Sequence, residues 1–386
     1  MKIVYCIPSL DNSGGTERIL TDKVNYLAKA GDYDITIITT EGESKKPYFL
    51  LEKNIKVVEL NINFNEVFNY SIVKKYLITH QKLNLYTSLL QQFLDEQNVD
   101  ICVSTGGKEM EFFKKIKSKC VKVCELHFSK NFRKQFLISR KNNIFWRLIG
   151  NYRNIRLIQQ VKDLDQLVVL TRKDLKEWKK DINNVTQIYN FSPIYSNERS
   201  LLNNHSIIAA GRLDPQKGFD MLIKAWSLIQ DKIFDWKLNI YGQGDLYAQL
   251  SKDIDENKLN NTVFLKGRTN DIKKELLESS IFVLSSRYEG FPMVMLESLT
   301  CGIPIVSFNC ETGPDEIIIN DDCGILVENG NIEKLAEGIL RLINDNELRV
   351  QKSIIAKKKS EDFSKEVIMQ KWINLFNELY LKNKTK

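Results

Sequence analysis

The 386-residue sequence predicts an α/β protein of two doubly wound, Rossmann-like halves facing each other across a cleft. Three observations lead there. Short β-branched runs alternate with longer amphipathic ones along most of the chain, the pattern of a parallel sheet covered by helices. That series stops at a polar, turn-rich stretch, residues 195–204, and then begins again. The chain is also too long for one ordinary hydrophobic core, so two domains are the natural division.

In the first series, strand-like runs occupy Lys2–Pro8, Asp34–Thr39, Ile55–Leu60, Asp100–Ser104, Val121–Leu126 and Gln166–Leu170. Glu17–Ala30 carries apolar residues at helical spacing. In the second series the strands are Ser206–Ala210, Lys237–Tyr241, Val263–Leu265, Ile281–Leu284, Ile303–Ser307 and a short Gly324–Val327. Helical runs at Asp220–Ile229, Asp245–Ile254, Ile332–Asn344 and from Glu347 onward fill the gaps. Lys365–Tyr380 reads as a terminal amphipathic helix, with Val367, Ile368, Trp372, Ile373, Phe376, Leu379 and Tyr380 on its apolar side. The predicted domains are therefore 1–192, 193–364 and a terminal helix, 365–386.

Hydrophobic residues make up 43% of the chain, ample for globular cores, yet no apolar run approaches the ~20 residues that span a bilayer. The opening Met-Lys-Ile-Val-Tyr-Cys-Ile-Pro is too short for a signal segment and reads as the first buried strand of a cytoplasmic protein. Seven cysteines stand at 6, 102, 120, 124, 301, 310 and 323 with no C-x-x-C pair. With three scattered histidines this argues against a zinc site.

The net charge of +7 is unevenly placed. Residues 111–162 hold fourteen Lys and Arg against two acids, Glu111 and Glu125, and no acid lies between Leu126 and Lys162. Phe128, Phe132, Phe136, Phe145, Trp146 and Tyr152 are interleaved with that charge. Basic and aromatic residues mixed at helical spacing suit an anionic membrane surface or a polyanionic ligand; a solvated helix face is the plainer alternative. No nucleic-acid-binding motif accompanies the charge.

The most informative segment is Glu289-Gly290-Phe291-Pro292-Met293-Val294-Met295-Leu296-Glu297. Two carboxylates bracket seven residues, at a strand–loop–helix junction with Pro292 in the first helical position. The free N–H groups after Pro292 form an anion site aided by the helix dipole. Carboxylates on both sides of it can accept hydroxyl hydrogen bonds, which suits a ligand with phosphate in the middle and hydroxyl-rich ends. A nucleotide sugar has that shape. Residues 211–218, Gly-Arg-Leu-Asp-Pro-Gln-Lys-Gly, add Arg212 and Lys217 at the end of another strand, two cations able to neutralise a diphosphate. Tyr241-Gly242-Gln243-Gly244-Asp245 ends the next strand with glycines that admit a ligand to the backbone. In the first half, Asn12-Ser13-Gly14-Gly15-Thr16-Glu17 places Gly14 and Gly15 at a helix N-terminus, where an anion can approach; an ordinary cap by Ser13 or Thr16 is the alternative. His127 follows the strand Val121–Leu126, where ligand residues gather in open sheets.

These segments, in this order, resemble the E-x7-E, donor-phosphate and glycine-loop motifs of retaining glycosyltransferases with the GT-B fold, glycosyltransferase family 4 above all. Phe264-Leu265-Lys266-Gly267-Arg268 and Glu311-Thr312-Gly313-Pro314-Asp315-Glu316 match further segments of that family. The resemblance covers nearly the whole chain, closely over 205–345 and loosely over 40–165. It implies a GT-B fold whose last helix crosses back onto the first domain. It implies transfer of a hexose or N-acetylhexosamine from a UDP-linked donor to a hydroxyl of a glycan or glycolipid, without a metal or other cofactor. Arg212 and Lys217 would stabilise the leaving diphosphate, Glu289 would hold sugar hydroxyls beside the cationic ring, and Glu297 would take the ribose hydroxyls. His127 would contact the donor sugar. Gly14, Gly15, Gly242, Arg268, Gly290, Phe291, Pro292 and Met293 would line the donor site. With the basic segment 126–162 on an anionic bilayer, the enzyme would work peripherally at the inner face of the cytoplasmic membrane on a lipid-linked acceptor. A non-catalytic nucleotide-sugar-binding module and a soluble GT-B enzyme of other chemistry are the competing readings.

Overall fold

The computed structural model describes residues 1–42, 46–132, 135, 137 and 144–385. Seven parallel strands build the first sheet: β1 (Lys2–Ile7), β2 (Asp34–Thr39), β3 (Lys56–Glu59), β4 (Ile101–Ser104), β5 (Val121–Leu126), β6 (Gln166–Val169) and β7 (Val185–Gln187). Six more build the second: β8 (Ser206–Ala210), β9 (Lys237–Tyr241), β10 (Val263–Gly267), β11 (Ile281–Leu284), β12 (Ile305–Asn309) and β13 (Gly324–Glu328). The orders are β3-β2-β1-β4-β5-β6-β7 and β10-β9-β8-β11-β12-β13. The fold is the two-domain α/β arrangement that the alternation of elements predicts. In both sheets the first strand lies inside, paired on either side (β1 with β2 and β4, β8 with β9 and β11). The chain reverses direction there, and the crevice at the carboxyl ends of such strands is where open α/β sheets take ligands. The loops after β1, β5, β8 and β11 are therefore the ones that matter.

Some boundaries differ from the sequence reading. The strand expected from Ile303 begins at Ile305, because Pro304 has no N–H for the ladder; its carbonyl still accepts from Phe282 N at 3.0 Å. β10 runs on through a register shift between Leu265 and Gly267. The three-residue β7 has no counterpart in the sequence pattern.

The first helix, Gly15–Ala30, puts Ile19, Leu20, Val24 and Leu27 into a core that reaches from the first sheet to the terminal helix, Lys365–Lys384, with Trp372, Phe376 and Leu379. Lys365 pairs with Asp22 at 3.3 Å, and Asn383 donates to the Lys119 carbonyl at 2.9 Å, so the terminal helix lies along the first half. The chain passes between halves twice, side by side: Ser192 N donates to the Phe363 carbonyl at 2.9 Å. All seven cysteines are buried and free.

Of the basic segment, Arg133, Lys134, Phe136, Arg140 and Lys141 lie outside the described residues. Its helix, Ile144–Val161, exposes Ile144, Phe145, Leu148, Tyr152 and Ile155. The helix Ile72–Glu96 packs into the same core on the same face of the first sheet, and its first turns expose Ile72, Val73, Tyr76 and Leu77 beside Lys74 and Lys75. Among the described residues no helix is long and apolar enough to cross a membrane.

Candidate active site

The loop after β11 carries Glu289, whose carboxylate is buried. Its Oε1 accepts from Lys217 Nζ at 2.7 Å and from Ser286 Oγ at 2.6 Å. Lys217 arrives on the connection after β8, where its backbone N–H donates to the Asp214 carbonyl. The sequence reading gives Arg212 and Lys217 one shared task, neutralising a diphosphate, but the structure points them apart. Lys217 turns inward onto Glu289. The Arg212 side chain is 73% exposed and its guanidinium lies 3.3 Å from Asp214.

The next helix runs Met293–Thr300, and Pro292 is its N-cap rather than its first residue, with φ −74° and ψ 98°. That ψ is extended, so the proline ends the loop instead of opening the helix. No side chain caps this helix. Glu297 sits one turn in and lines a cavity of about 340 Å³ with Gly14, Gly15, Arg18, Tyr48, Phe49, Arg268 and Met293. Burial pushes the Glu297 carboxyl up to about 7, against the opposing pull of Arg18. Arg268 also lines the adjoining cavity of about 280 Å³, with Gly211, Arg212, Tyr241 and Gly242. Gly242 is required there: with φ at +155°, a Cβ would stand 1.8 Å from the Gly211 carbonyl oxygen.

The first half supplies the opposite wall. Gly14 is the N-cap of the first helix, and neither Ser13 nor Thr16 caps it with a side chain. The Glu17 carboxylate folds back over Gly14 and accepts from its own backbone N–H, so this helix start is partly satisfied from within. A Cβ on Gly15 would lie 3.9 Å from Met293 Cγ, so the N-termini of two helices from different halves face one another. Arg268 donates from Nη2 to the Tyr48 hydroxyl, with its guanidinium 5.1 Å from that ring, joining the walls. The loop Tyr288–Pro292 approaches the first half where Gly290 meets the His127 carbonyl; Phe291 stacks on Tyr189, ring centroids 5.2 Å apart.

His127 lies just beyond β5 with Nε2 3.2 Å from Glu125 Oε1. The same Glu125 oxygen accepts from Lys23 Nζ at 2.5 Å, and both Lys23 and Glu125 are fully buried. Burial alone would push the Glu125 carboxyl up; Lys23, helped by His127, reverses this and holds it down to about 2. The sequence reading missed this pair, although a signal was present. Lys23 stands at the spacing of Leu20, Val24 and Leu27, on the core face of its helix, and Glu125 interrupts an apolar strand. It also missed Arg18, Tyr48 and Phe49. Arg18 stacks on Phe49 at 4.9 Å, and nothing in the loop's composition announces that contact.

Residues 196–359 match the family model for glycosyl transferases group 1. A relative from Haemophilus influenzae, an uncharacterized glycosyltransferase, is 31% identical over 376 residues, 96% of this chain and 98% of that protein. The chain belongs to the group 1 glycosyltransferases. The poly(ribitol-phosphate) α-N-acetylglucosaminyltransferase of Staphylococcus aureus is 28% identical, over 85% of this chain and 66% of that longer protein. An α-1,4-N-acetyl-D-galactosaminyltransferase of Campylobacter jejuni, named for a diphospho-undecaprenol-linked substrate, is 26% identical over 98% of this chain and 99% of that one. In fold, this glycosyltransferase is similar to a point mutant of S. aureus TarM crystallised with fondaparinux, α-GlcNAc-glycerol and UDP. The TM-score is 0.79 at 18% identity, covering 97% of this chain and 99% of that one. The architecture is GT-B.

Proposed function

We propose that this glycosyltransferase is a retaining, family 4 enzyme that transfers a hexose or N-acetylhexosamine from a UDP-sugar to a hydroxyl of a lipid-linked or surface glycan. The observation that carries the reading is the convergence of Glu297, Arg268, Met293 and the Gly14-Gly15 turn on one cavity, with Glu289, paired to Lys217, in the loop that leads into the Glu297 helix. Glu297 would accept the ribose hydroxyls. The uncapped start of the Met293–Thr300 helix, the Gly14-Gly15 turn and Arg212 would hold the diphosphate, and Lys217 would serve the phosphate and Glu289 together. The bond from the anomeric carbon to the diphosphate breaks as the acceptor oxygen bonds on the same face. The acceptor's proton passes to the departing phosphate oxygen. Developing positive charge on the sugar then lies near Glu289, and negative charge near Arg212 and the helix amides. His127 would contact the sugar from the opposite half.

In this reading the acceptor is presented at a bilayer. Two helices on one face of the first sheet expose apolar side chains at the ends nearest the cleft, Ile72–Leu77 and Ile144–Ile155, with lysine and arginine around them. The lipid-linked substrate named for the C. jejuni relative is consistent with it. The enzyme would work at the inner leaflet and without a metal.

The test is a panel of UDP- and GDP-sugars incubated with the purified protein, with released nucleotide measured, EDTA in a parallel arm and Glu289→Gln as control. Release from one donor, unaffected by EDTA and lost in the control, is expected. Nucleotide binding without release from any donor, even with lipid-linked acceptor added, would leave a binding module. Absence of both release and binding would overturn the reading.

A further inference from the structure

Beneath the active site lies a chain of contacts that no reaction step uses directly. Lys23 is 1% exposed in the middle of the first helix. Its ammonium donates to Glu125 on one side, and on the other lies 3.6 Å from the ring centroid of Trp372, in the terminal helix. Glu125 extends from that ammonium to His127 Nε2. Its second oxygen, Oε2, is buried with no hydrogen-bond partner among the described residues. Oε1 is thus shared by Lys23 and His127.

A buried ion pair is a weak device for stability, since apolar side chains of similar size do as well or better. This one ends on a histidine at the cleft. We propose that Lys23 and Trp372 are positioning residues for His127: through Glu125 they fix which ring nitrogen carries the proton and where the imidazole points. The inference rests on the reading that places His127 at the donor sugar.

The chemistry is specific. An ionised Glu125 can only accept, so Nε2 must carry a hydrogen and Nδ1 is left as the ring's acceptor. Glu125 stays ionised in the core because Lys23 balances its charge; burial pulls the Lys23 ammonium down, and Glu125 and the Trp372 face oppose that pull. Tyr5, on β1, faces Glu125, and Glu17, on the first helix, is the other carboxyl within electrostatic reach of His127. The terminal helix would then act on the active site without touching it.

The experiment compares the full-length protein with Lys23→Met, Trp372→Phe and Trp372→Leu. Only three histidines are present, so His127 is assignable in ¹⁵N-resolved imidazole spectra. In Lys23→Met the buried Glu125 carboxylate has lost its balancing charge, and either it takes up a proton or the His127 ring takes a second one. Both change the Nε2–H···Oε1 arrangement, so the His127 ¹⁵N shifts are expected to move away from those of the parent, with a displaced pH profile of kcat. At neutral pH kcat falls about tenfold or more while donor KM changes little. Trp372→Phe keeps a ring face and rescues most of this; Trp372→Leu gives an intermediate shift. Should Lys23→Met fail to fold, the two Trp372 variants carry the test. Unchanged His127 spectra in a folded Lys23→Met protein, or identical spectra for both Trp372 variants and the parent, would overturn the proposal. A His127→Ala enzyme that keeps full activity would instead sink the underlying role of His127. The spectra of the Lys23 variant then show separately whether the ring is positioned.

Discussion

Gly290 packs so closely on the His127 carbonyl that a Cβ there would stand 2.6 Å from the oxygen and 3.1 Å from Phe128 Cα. Both obstacles are backbone, which cannot swing away. The contact joins the two halves, so Gly290→Ala is relieved by the halves parting rather than by either one unfolding. Glycosyl transfer is expected to fall by about 10²-fold for a displacement near 1 Å. Stability changes by no more than about 1–2 kcal/mol. Steady-state kinetics with denaturant unfolding checks this, and full activity in Gly290→Ala would refute it.

Lys217 and Glu289 are coupled, with side-chain exposures of 16% and 6%. Lys217→Met leaves a buried carboxylate with only Ser286 as partner and should cost about 3 kcal/mol. Glu289→Gln costs less, because the lysine is the more solvated partner. The double variant should be more stable than Lys217→Met alone, with a coupling energy of about 1–3 kcal/mol by urea unfolding. Additive effects would show that the pair is not an interacting unit.

Glu297 gives a pH dependence with a definite sign. In the role proposed for Glu297 ribose hydroxyls donate to it, so a nucleoside would prefer the ionised carboxylate. With the carboxyl raised to about 7, uridine affinity should weaken as pH falls through 7, by up to about tenfold per unit. Uridine avoids the titration of a phosphate. For folding, the raised carboxyl costs stability as pH climbs from its unfolded value of about 4.3 to about 7. Glu297→Gln should therefore bind uridine with a flat pH profile and lose that stability penalty. A sloping profile in Glu297→Gln assigns the titration to another group.

The exposed apolar turns of two helices give a membrane prediction. Sedimentation with vesicles containing phosphatidylglycerol should exceed that with phosphatidylcholine alone and weaken with salt. Ile72→Ser and Phe145→Ser together should reduce it by about tenfold, since each removes a large buried apolar area from the bilayer contact. Equal binding to neutral and anionic vesicles at low salt defeats the idea.

How far the sequence reaches depends on the range of the interaction. Asp34–Thr39, Val121–Leu126, Ser206–Ala210, Lys237–Tyr241 and Ile281–Leu284 are readable to the residue because each is an apolar run closed by polar or glycine punctuation. β7 is only three residues long, too short for a period to show. Glu297, Arg268 and the Gly14-Gly15 turn could be proposed for one site because short motifs at strand ends say where a ligand goes. The Lys23–Glu125–His127 chain and the Arg268–Tyr48 contact join positions far apart in sequence. Spacing is blind to such pairs, although a charged residue on an apolar face marks that a partner must exist.

The return of the terminal helix to the first half changes the kind of motion available to the molecule. Two halves tied by one connector can twist and slide freely about it. Here two crossings lie abreast, pinned by Ser192 N to the Phe363 carbonyl and by Lys365 against the Phe191 ring. Such a joint behaves as a door on two pins. Two pins resist torsion better than one, so a closure about this joint would bring the Gly290 loop back onto the His127 carbonyl in the same register.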